Sequence, residues 1–186
     1  MGRKLRPSLD LEQVSGLIGA IYDASIDQRL WSAFLSRFAN TFECDQALLL
    51  STTKDGAPQE ILLTEGLDLG IMSRWQGSKD HIDLWYQSLA RAAPRQAYLY
   101  SQLVPSRRLC QSAFYADFLR ISDVEYGVGT VVENSSERQT IVAVFSSKRR
   151  GDFAREEQQL STLLALTCRL SSDHRSLEDG GHWVLL

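Results

Sequence analysis

Aromatic side chains with polar tips are concentrated between positions 75 and 100. They are Trp75, Trp85, Tyr86, Tyr98 and Tyr100. Such rings combine a broad apolar face with a hydrogen-bonding group, and small-molecule pockets use both to bury and orient a ligand. Asp83 lies among them and is a candidate polar anchor. The cluster therefore predicts a ligand pocket, and the alternative is that the same rings only fill the core.

Residue pairs for acid–base or metal chemistry are scarce. Asp80 and Asp83 flank His81, but a solvated helix start explains this group as well as general acid–base work does. The other histidines, His174 and His182, have no ligand partner at a metal-binding spacing. We therefore expect no metal site and no catalytic residue.

Nucleotide and nucleophile motifs are also missing. The sequence has no P-loop and no Ser in a G-x-S-x-G elbow. The pair Gly127 and Gly129 lacks the third glycine of a dinucleotide loop and does not open a helix, which indicates a strand feature. These absences predict a protein that is not an enzyme and has no cofactor.

The net charge and the hydropathy of the chain limit which partners it is expected to bind. The net charge of −3 argues against this chain gripping a phosphate backbone by itself. No apolar run approaches the roughly 20 residues that cross a bilayer, and the basic N-terminus lacks the apolar segment of a secretory signal. We expect a cytoplasmic protein without a membrane partner, whose Cys44, Cys110 and Cys168 are buried free thiols.

Five short segments are expected to form a sheet. They are Gln46–Thr52, Glu60–Thr64, Tyr98–Leu103, Gly127–Glu133 and Thr140–Ser147. A turn at residues 54–56 joins the first two as a hairpin. The last segment is apolar on both faces, so it is expected at the centre of the sheet.

Helices are predicted before and between these strands. One begins at Leu11, and the next has Asp27 as its N-cap. The second helix carries a buried stripe of Trp31, Phe34, Leu35, Phe38 and Phe42. Residues 67–91 are helical with a break at residues 77–78.

A further helix is expected to follow Pro105, which suits the first turn of a helix. Its apolar face holds Cys110, Phe114, Phe118 and Ile121 at three- and four-residue steps. Phe114 joins the candidate pocket.

The final helix is expected to begin near Asp152. Leu163, Leu170 and Leu177 are spaced by heptads along it. A repeat of 3.5 residues is typical of a helix that pairs with a copy of itself, so these leucines are the candidate dimerisation residues.

Several motifs resemble, in order, the N-terminal sensor region of LuxR-type helix-turn-helix transcription regulators. They are IYDASIDQRLWSAFL, GLDL, DLW, SQLVP with SAFYADFL, YGVG and GDFAREEQQLSTLL, and the resemblance covers most of residues 16–170. It implies a PAS- or GAF-like fold, a role in signal-responsive transcription and a homodimer. The helix-turn-helix of that family is absent from this chain, so DNA contact would need a segment not present here.

Together these observations predict an α+β fold with a single five-stranded antiparallel sheet of PAS/GAF-like type, helices on its faces and a long C-terminal helix. Residues 1–8 would be a flexible leader, residues 9–177 the sensor domain, and residues 178–186 a tail of unknown role. The expected function is ligand sensing and dimerisation for a LuxR-type regulator that responds to an unknown small-molecule signal. The predicted ligand-binding residues are Trp75, Asp83, Trp85, Tyr86, Tyr98, Tyr100 and Phe114. The alternative is a protein-interaction module with a packed core and no ligand.

Overall fold

An antiparallel sheet of five strands forms the middle layer of the molecule. The computed structural model describes residues 11–53, 60–77, 84–165 and 167. The strands are β1 (Gln46–Thr53), β2 (Glu60–Glu65), β3 (Gln96–Leu99), β4 (Tyr126–Asn134) and β5 (Arg138–Ser146). Their order is β2-β1-β5-β4-β3, and every neighbouring pair is antiparallel. The predicted α+β class is confirmed, as is the central place of the last strand.

Helices cover both faces of this sheet. They are α1 (Leu11–Ile26), α2 (Trp31–Thr41), α3 (Leu69–Gly77), α4 (Leu84–Leu89), α5 (Tyr100–Leu103), α6 (Ser106–Cys110) and α7 (residues 155–165). A 3-10 turn at Gln28–Leu30 precedes α2, and a π-helical turn at Tyr115–Leu119 follows α6. Within the described ranges, no helix combines the length and the apolarity needed to cross a membrane.

The predicted N-cap at Asp27 is confirmed. Its carboxylate accepts a hydrogen bond from the backbone N–H of Arg29 at 3.0 Å, so it caps the 3-10 turn that leads into α2. The Arg29 side chain also donates to this carboxylate, and that bond is the main reason why the pKa of Asp27 is lowered.

Strand β5 contributes to two separate cores, because successive side chains of a strand point to opposite faces. Val142 and Val144 pack in the layer that contains α1, α2 and α7. Ile141, Ala143 and Phe145 pack in the layer that contains α3 to α6 and the π-helical turn. We call the layer with α1, α2 and α7 the α7-side core and the layer with α3 to α6 the cavity-side core.

The aromatic stripe of α2 dominates the α7-side core. Phe34, Phe38 and Phe42 are each at most 1% exposed. Ring centroids of successive members lie 5.7 Å and 5.0 Å apart, and Trp31 meets Phe34 edge-on at 5.5 Å. Burying each such ring stabilises the fold by about 1.5–3 kcal/mol. The buried stripe predicted from the spacing is confirmed.

Helix α7 lies along the open edge of the sheet at β3. The backbone N–H of Ala97 donates to Thr162 Oγ1 at 3.1 Å, and Gln158 Nε2 donates to the Ala97 carbonyl oxygen at 2.9 Å. An exposed edge strand is a site of unwanted pairing. Two side chains of α7 therefore satisfy backbone groups that β4 leaves unpaired.

Arg150 ties the start of α7 to the end of α2. Its Nε donates to the carbonyl oxygen of Phe42 at 2.8 Å, and its Nη2 donates to Glu157 Oε1 at 2.5 Å. The other Glu157 oxygen accepts from the backbone N–H of Ala154 at 2.6 Å, which is half of a capping box at the start of α7. Within the GDFAREE motif, this network accounts for Ala154 and Glu157.

The predicted strand Tyr98–Leu103 is wrong over its last four residues. β3 ends at Leu99, and Tyr100–Leu103 form the short helix α5. The backbone N–H of Val104 bonds to the carbonyl oxygen of Tyr100 at 3.0 Å, which closes that turn. The chain leaves the sheet after Leu99, and the ring of Tyr100 lies over Gly127 and Gly129 of β4.

The continuous helical face predicted after Pro105 is also wrong. α6 ends at Cys110, whose side chain is exposed, and Ile121 is 56% exposed. In the π-helical turn the N–H of Arg120 bonds to the carbonyl of Tyr115, five residues back. This wider turn rotates Ile121 away from the face of Phe114 and Phe118, which are buried as predicted.

The cysteine prediction holds in part. Cys44 is a buried free thiol, as expected, whereas the free thiol of Cys110 is exposed because α6 ends there. Cys168 lies outside the described residues, as do the predicted leader, the turn at residues 54–56 and the tail.

Candidate ligand-binding site

A cavity of about 60 Å³ lies in the cavity-side core, between the sheet and the helices above it. Strands β1 and β5 form its floor with Leu48, Leu50, Ile141, Ala143 and Phe145. The walls come from α3 to α5, the π-helical turn and the segments beside them: Leu67, Met72, Trp85, Tyr86, Leu89, Tyr100, Phe114, Phe118, Leu119, Ser122 and Val124. The lining is almost entirely apolar.

An aromatic stack stands at one side of the cavity. The rings of Trp85 and Tyr100 lie face to face, with centroids 4.5 Å apart and planes inclined by 24°. Phe145 lies parallel to Trp85 at 6.0 Å, and Phe114 meets Trp85 edge-on at 5.9 Å. Offset-stacked and edge-on pairs are the arrangements that aromatic rings prefer. The four rings of this stack therefore pack on one another in favourable arrangements.

Two glycines of β4 make room for Tyr100. A Cβ atom on Gly129 would lie 2.3 Å from the Tyr100 hydroxyl oxygen, and one on Gly127 would lie 2.6 Å from its ring. Residues two apart in a strand share a face, so the two glycines form a shallow groove in the sheet. The YGVG motif is therefore a seat for an aromatic ring, which confirms that the glycine pair is a strand feature.

Buried polar bonds hold α4 over the sheet. Gln139 of β5 is 2% exposed, and its Nε2 donates to the carbonyl oxygen of Leu89 at 2.7 Å. Asn134 Nδ2 donates to the carbonyl oxygen of Ala92 at 2.7 Å. These bonds fix the C-terminal end of α4, and thereby the position of Trp85.

Polar contacts also fix the wall opposite α4. Gln46 Nε2 donates to the carbonyl oxygen of Ser122 at 2.8 Å. The Tyr115 hydroxyl donates to Glu125 Oε2 at 2.9 Å, and this bond is the main cause that raises the pKa of Tyr115 to about 12. The segment after the π-helical turn is thereby attached to β1 through Ser122 and to the turn itself through Glu125.

Four of the seven residues predicted for the pocket line this cavity: Trp85, Tyr86, Tyr100 and Phe114. Tyr98 is not among the lining residues, and its hydroxyl donates to the carbonyl oxygen of Ala93 at 3.3 Å. Asp83 lies outside the described residues. Trp75 belongs to α3, but its side chain is not described.

Sequence reasoning missed the residues that position the aromatic ones. Gly127 and Gly129 carry a readable signal, because glycines two apart in an apolar strand indicate close approach of another group. Gln139 has no comparable signal, since a single glutamine in a strand is ordinary. Among the described residues, no group of three or more His, Cys, Asp or Glu side chains is placed to hold a metal ion.

Known proteins match this chain in structure. No protein-family model matches it, and a search of curated proteins finds no match. Among solved structures, the VqsR LBD domain from Pseudomonas aeruginosa superposes with a TM-score of 0.61 at 21% identity, covering 90% of this chain and 97% of that one. The GAF domain of a phosphoenolpyruvate-protein phosphotransferase from Coxiella burnetii gives 0.57 at 12% identity, covering 91% and 98%. The cyanobacteriochrome TePixJ GAF domain gives 0.57 at 10% identity, covering 84% and 95%. The five-stranded sheet with its helices therefore has the fold of GAF-like sensor domains.

Proposed function

We propose that this chain is the ligand-sensing and dimerisation domain of a LuxR-type transcription regulator. The observation that carries the proposal is the apolar cavity beside the Trp85–Tyr100 stack, because binding sites for small molecules are concave and mostly apolar. The sequence motifs and the structural likeness to the VqsR LBD domain support the regulator role. DNA contact would come from a helix-turn-helix outside these residues.

The contacts of β3 offer a route from the cavity to the C-terminal helix. Tyr100 lines the cavity and directly follows β3. Three residues earlier, Ala97 is bonded on both its backbone groups to Gln158 and Thr162 of α7. A ligand that displaces Tyr100 would move β3 and bias the position of α7, which is the differential contact that a population shift requires.

The dimerisation part of the proposal uses the outward face of α7. Leu160 and Leu164 are buried in the α7-side core, whereas Leu163 is 44% exposed. Leu163 is thus available to a second copy, while Leu170 and Leu177, its heptad companions, lie outside the described residues.

The sensing function can be tested with a thermal-shift screen of a metabolite library. A ligand that binds only the folded state raises the melting temperature by mass action. The screen compares the wild type with Ala143→Val, which adds two methyl groups at the cavity floor, and with Ala113→Val at an exposed position. We expect hits that stabilise the wild type and Ala113→Val but not Ala143→Val.

A protein-interaction module with a packed core is the second candidate, and the small volume of the cavity favours it. If the chain is such a module, no compound in the screen will raise the melting temperature of the wild type more than it raises that of Ala143→Val. This result would remove ligand sensing from the proposal.

A further inference from the structure

The charge of the lining limits what the cavity can bind. None of its sixteen described lining residues is Asp, Glu, Lys, Arg or His. A charged guest would lose its hydration and find no opposite charge among these sixteen residues, which is unfavourable in an apolar site. An uncharged guest loses little on entering and gains contact with the walls.

The polar tips of the two lining tyrosines are turned away from the space. The Tyr86 hydroxyl donates to Thr52 Oγ1 at 2.8 Å, a residue that does not line the cavity. The Tyr100 hydroxyl lies against Gly129, 2.3 Å from where a Cβ atom would be. The tyrosines therefore present ring surface rather than hydroxyl groups, and the remaining polar side-chain groups of the described lining are the Ser122 hydroxyl and the Trp85 indole N–H.

The size and shape of the cavity further limit which molecules it can bind. The cavity holds about 60 Å³, whereas an engineered apolar cavity of roughly 150 Å³ accepts a benzene molecule. A single ring therefore requires the walls of the cavity to move outward, while a polycyclic or long-chain molecule would require the aromatic stack to come apart. Six lining residues are aromatic, and rings favour stacked or edge-on contact with one another.

We propose that the cavity binds an uncharged molecule about the size of one aromatic ring, held by the rings of Trp85, Tyr100 and Phe114. This inference rests on the proposed sensing function and adds the chemical class of the ligand. It separates this site from one that recognises a carboxylate, a phosphate or an amine.

Three probes of nearly equal shape test the class: toluene, benzoate and benzylammonium. Each is titrated into the wild type, Ala143→Val and Ala113→Val, with melting temperature and tryptophan fluorescence as readouts. We expect toluene to bind and stabilise the wild type and Ala113→Val. Its binding to Ala143→Val should be at least tenfold weaker. Benzoate and benzylammonium should bind the wild type at least tenfold more weakly than toluene does. If Ala143→Val does not fold, the methyl resonance of Ala143 in the wild-type NMR spectrum reports binding directly.

The outcomes separate the ligand class from the sensing function. If benzoate or benzylammonium binds as tightly as toluene and depends on Ala143, the ligand class is wrong and the cavity remains a binding site. If none of the three probes binds but a library compound does so in an Ala143-dependent way, the ligand class is again wrong and sensing stands. If neither probes nor library compounds bind, both proposals fall.

Discussion

Tyr100 owes its position to two neighbours that have no side chain. Its ring lies over Gly127 and Gly129 and stacks on Trp85. The aromatic residues of the site could be predicted from the sequence because their types and clustering are unusual. From the sequence, the groove beneath Tyr100 could be predicted only as a pair of glycines. The ring that fills such a groove could not be predicted, because it depends on where the chain turns after β3.

The seat predicts a specific sensitivity at Gly129. Gly129→Ala places a methyl group within 2.3–2.7 Å of three Tyr100 atoms, and such overpacking lowers the free energy of unfolding by about 1–3 kcal/mol. Urea unfolding measures this change. Gly19→Ala is the matched control, because nothing lies within 4 Å of a Cβ there, and it should be neutral or stabilising by up to about 1 kcal/mol.

A double-mutant cycle locates the cause of that loss. If the clash with the ring is responsible, adding Gly129→Ala to Tyr100→Ala costs little beyond Tyr100→Ala alone. An equal loss in both backgrounds would show that the methyl group harms the strand itself.

Tyr115 predicts a loss of stability at alkaline pH. Its hydrogen bond to Glu125 raises its pKa from 10.0 to about 12 in the folded state, so the unfolded chain gives up this proton first. The contribution of Tyr115 is therefore fully present below pH 10 and is lost as the pH rises from 10 to about 12. Urea unfolding across this range should show a steeper decline for the wild type than for Tyr115→Phe.

Removing the acceptor gives an independent check on the same bond. Glu125→Gln takes away the charge that holds the phenol proton, so phenolate absorbance should report a lower pKa for Tyr115 than in the wild type. An unchanged titration curve would contradict the assigned cause.

At the scale of elements, the strands and the aromatic stripe of α2 were predictable because their apolar periodicity is long and regular. The two errors fall where periodicity is not decisive. Leu99 and Tyr100 continue the alternation of β3, but the chain turns into α5 between them. The π-helical turn at Tyr115–Leu119 has no sequence signal of its own. A π-helical turn holds one more residue than an α-helical turn, which moves Ile121 to another face of the helix, and no residue type in the sequence marks that change.

The packing of α7 on the sheet contains hydroxyl groups of two kinds. Thr162 Oγ1 accepts the N–H of Ala97, a residue that is 0% exposed. Thr130 Oγ1 and Ser161 Oγ are buried with no hydrogen-bond partner among the described residues. A buried polar group without a partner costs about 1–3 kcal/mol.

These two kinds predict opposite effects for the same substitution. Thr162→Val leaves the Ala97 N–H without an acceptor and should lower the free energy of unfolding by about 1–3 kcal/mol. Thr130→Val removes an unsatisfied hydroxyl at nearly constant volume and should be neutral or stabilising. Chemical denaturation of both variants decides the matter, and equal losses would show that α7 is not held at the β3 edge by this bond.

At the scale of the whole molecule, the sheet separates the α7-side core from the cavity-side core, which contains the cavity described above. The fold class followed from the order of elements along the chain, the central strand from its apolar residues on both faces, and the resemblance to sensor regions from short sequence motifs. The cavity could not be predicted in the same way, because its volume depends on small gaps among side chains from seven different segments.

The proposed dimer predicts an effect of Leu163→Glu. Because Leu163 is 44% exposed on the single chain, a charge there should leave the melting temperature nearly unchanged but weaken pairing of two copies. Light scattering at micromolar concentration measures the molar mass. Gln159→Glu adds the same charge at an exposed position on α7 and should keep the wild-type mass. A monomeric wild type would remove dimerisation from the proposed function.

Strand β5 is apolar on both sides, so an inside–outside pattern does not define how it aligns with its neighbours. Polar bonds at its two ends help to define this alignment. Gln139 Nε2 donates to the Leu89 carbonyl oxygen at 2.7 Å, and Ser146 Oγ donates to the Gly151 carbonyl oxygen at 2.8 Å. A slip by one position would bring Val144 to the floor in place of Ala143 and close the void. Two polar side chains at the ends of the strand, neither of which lines the cavity, thus help to keep Ala143 at its floor.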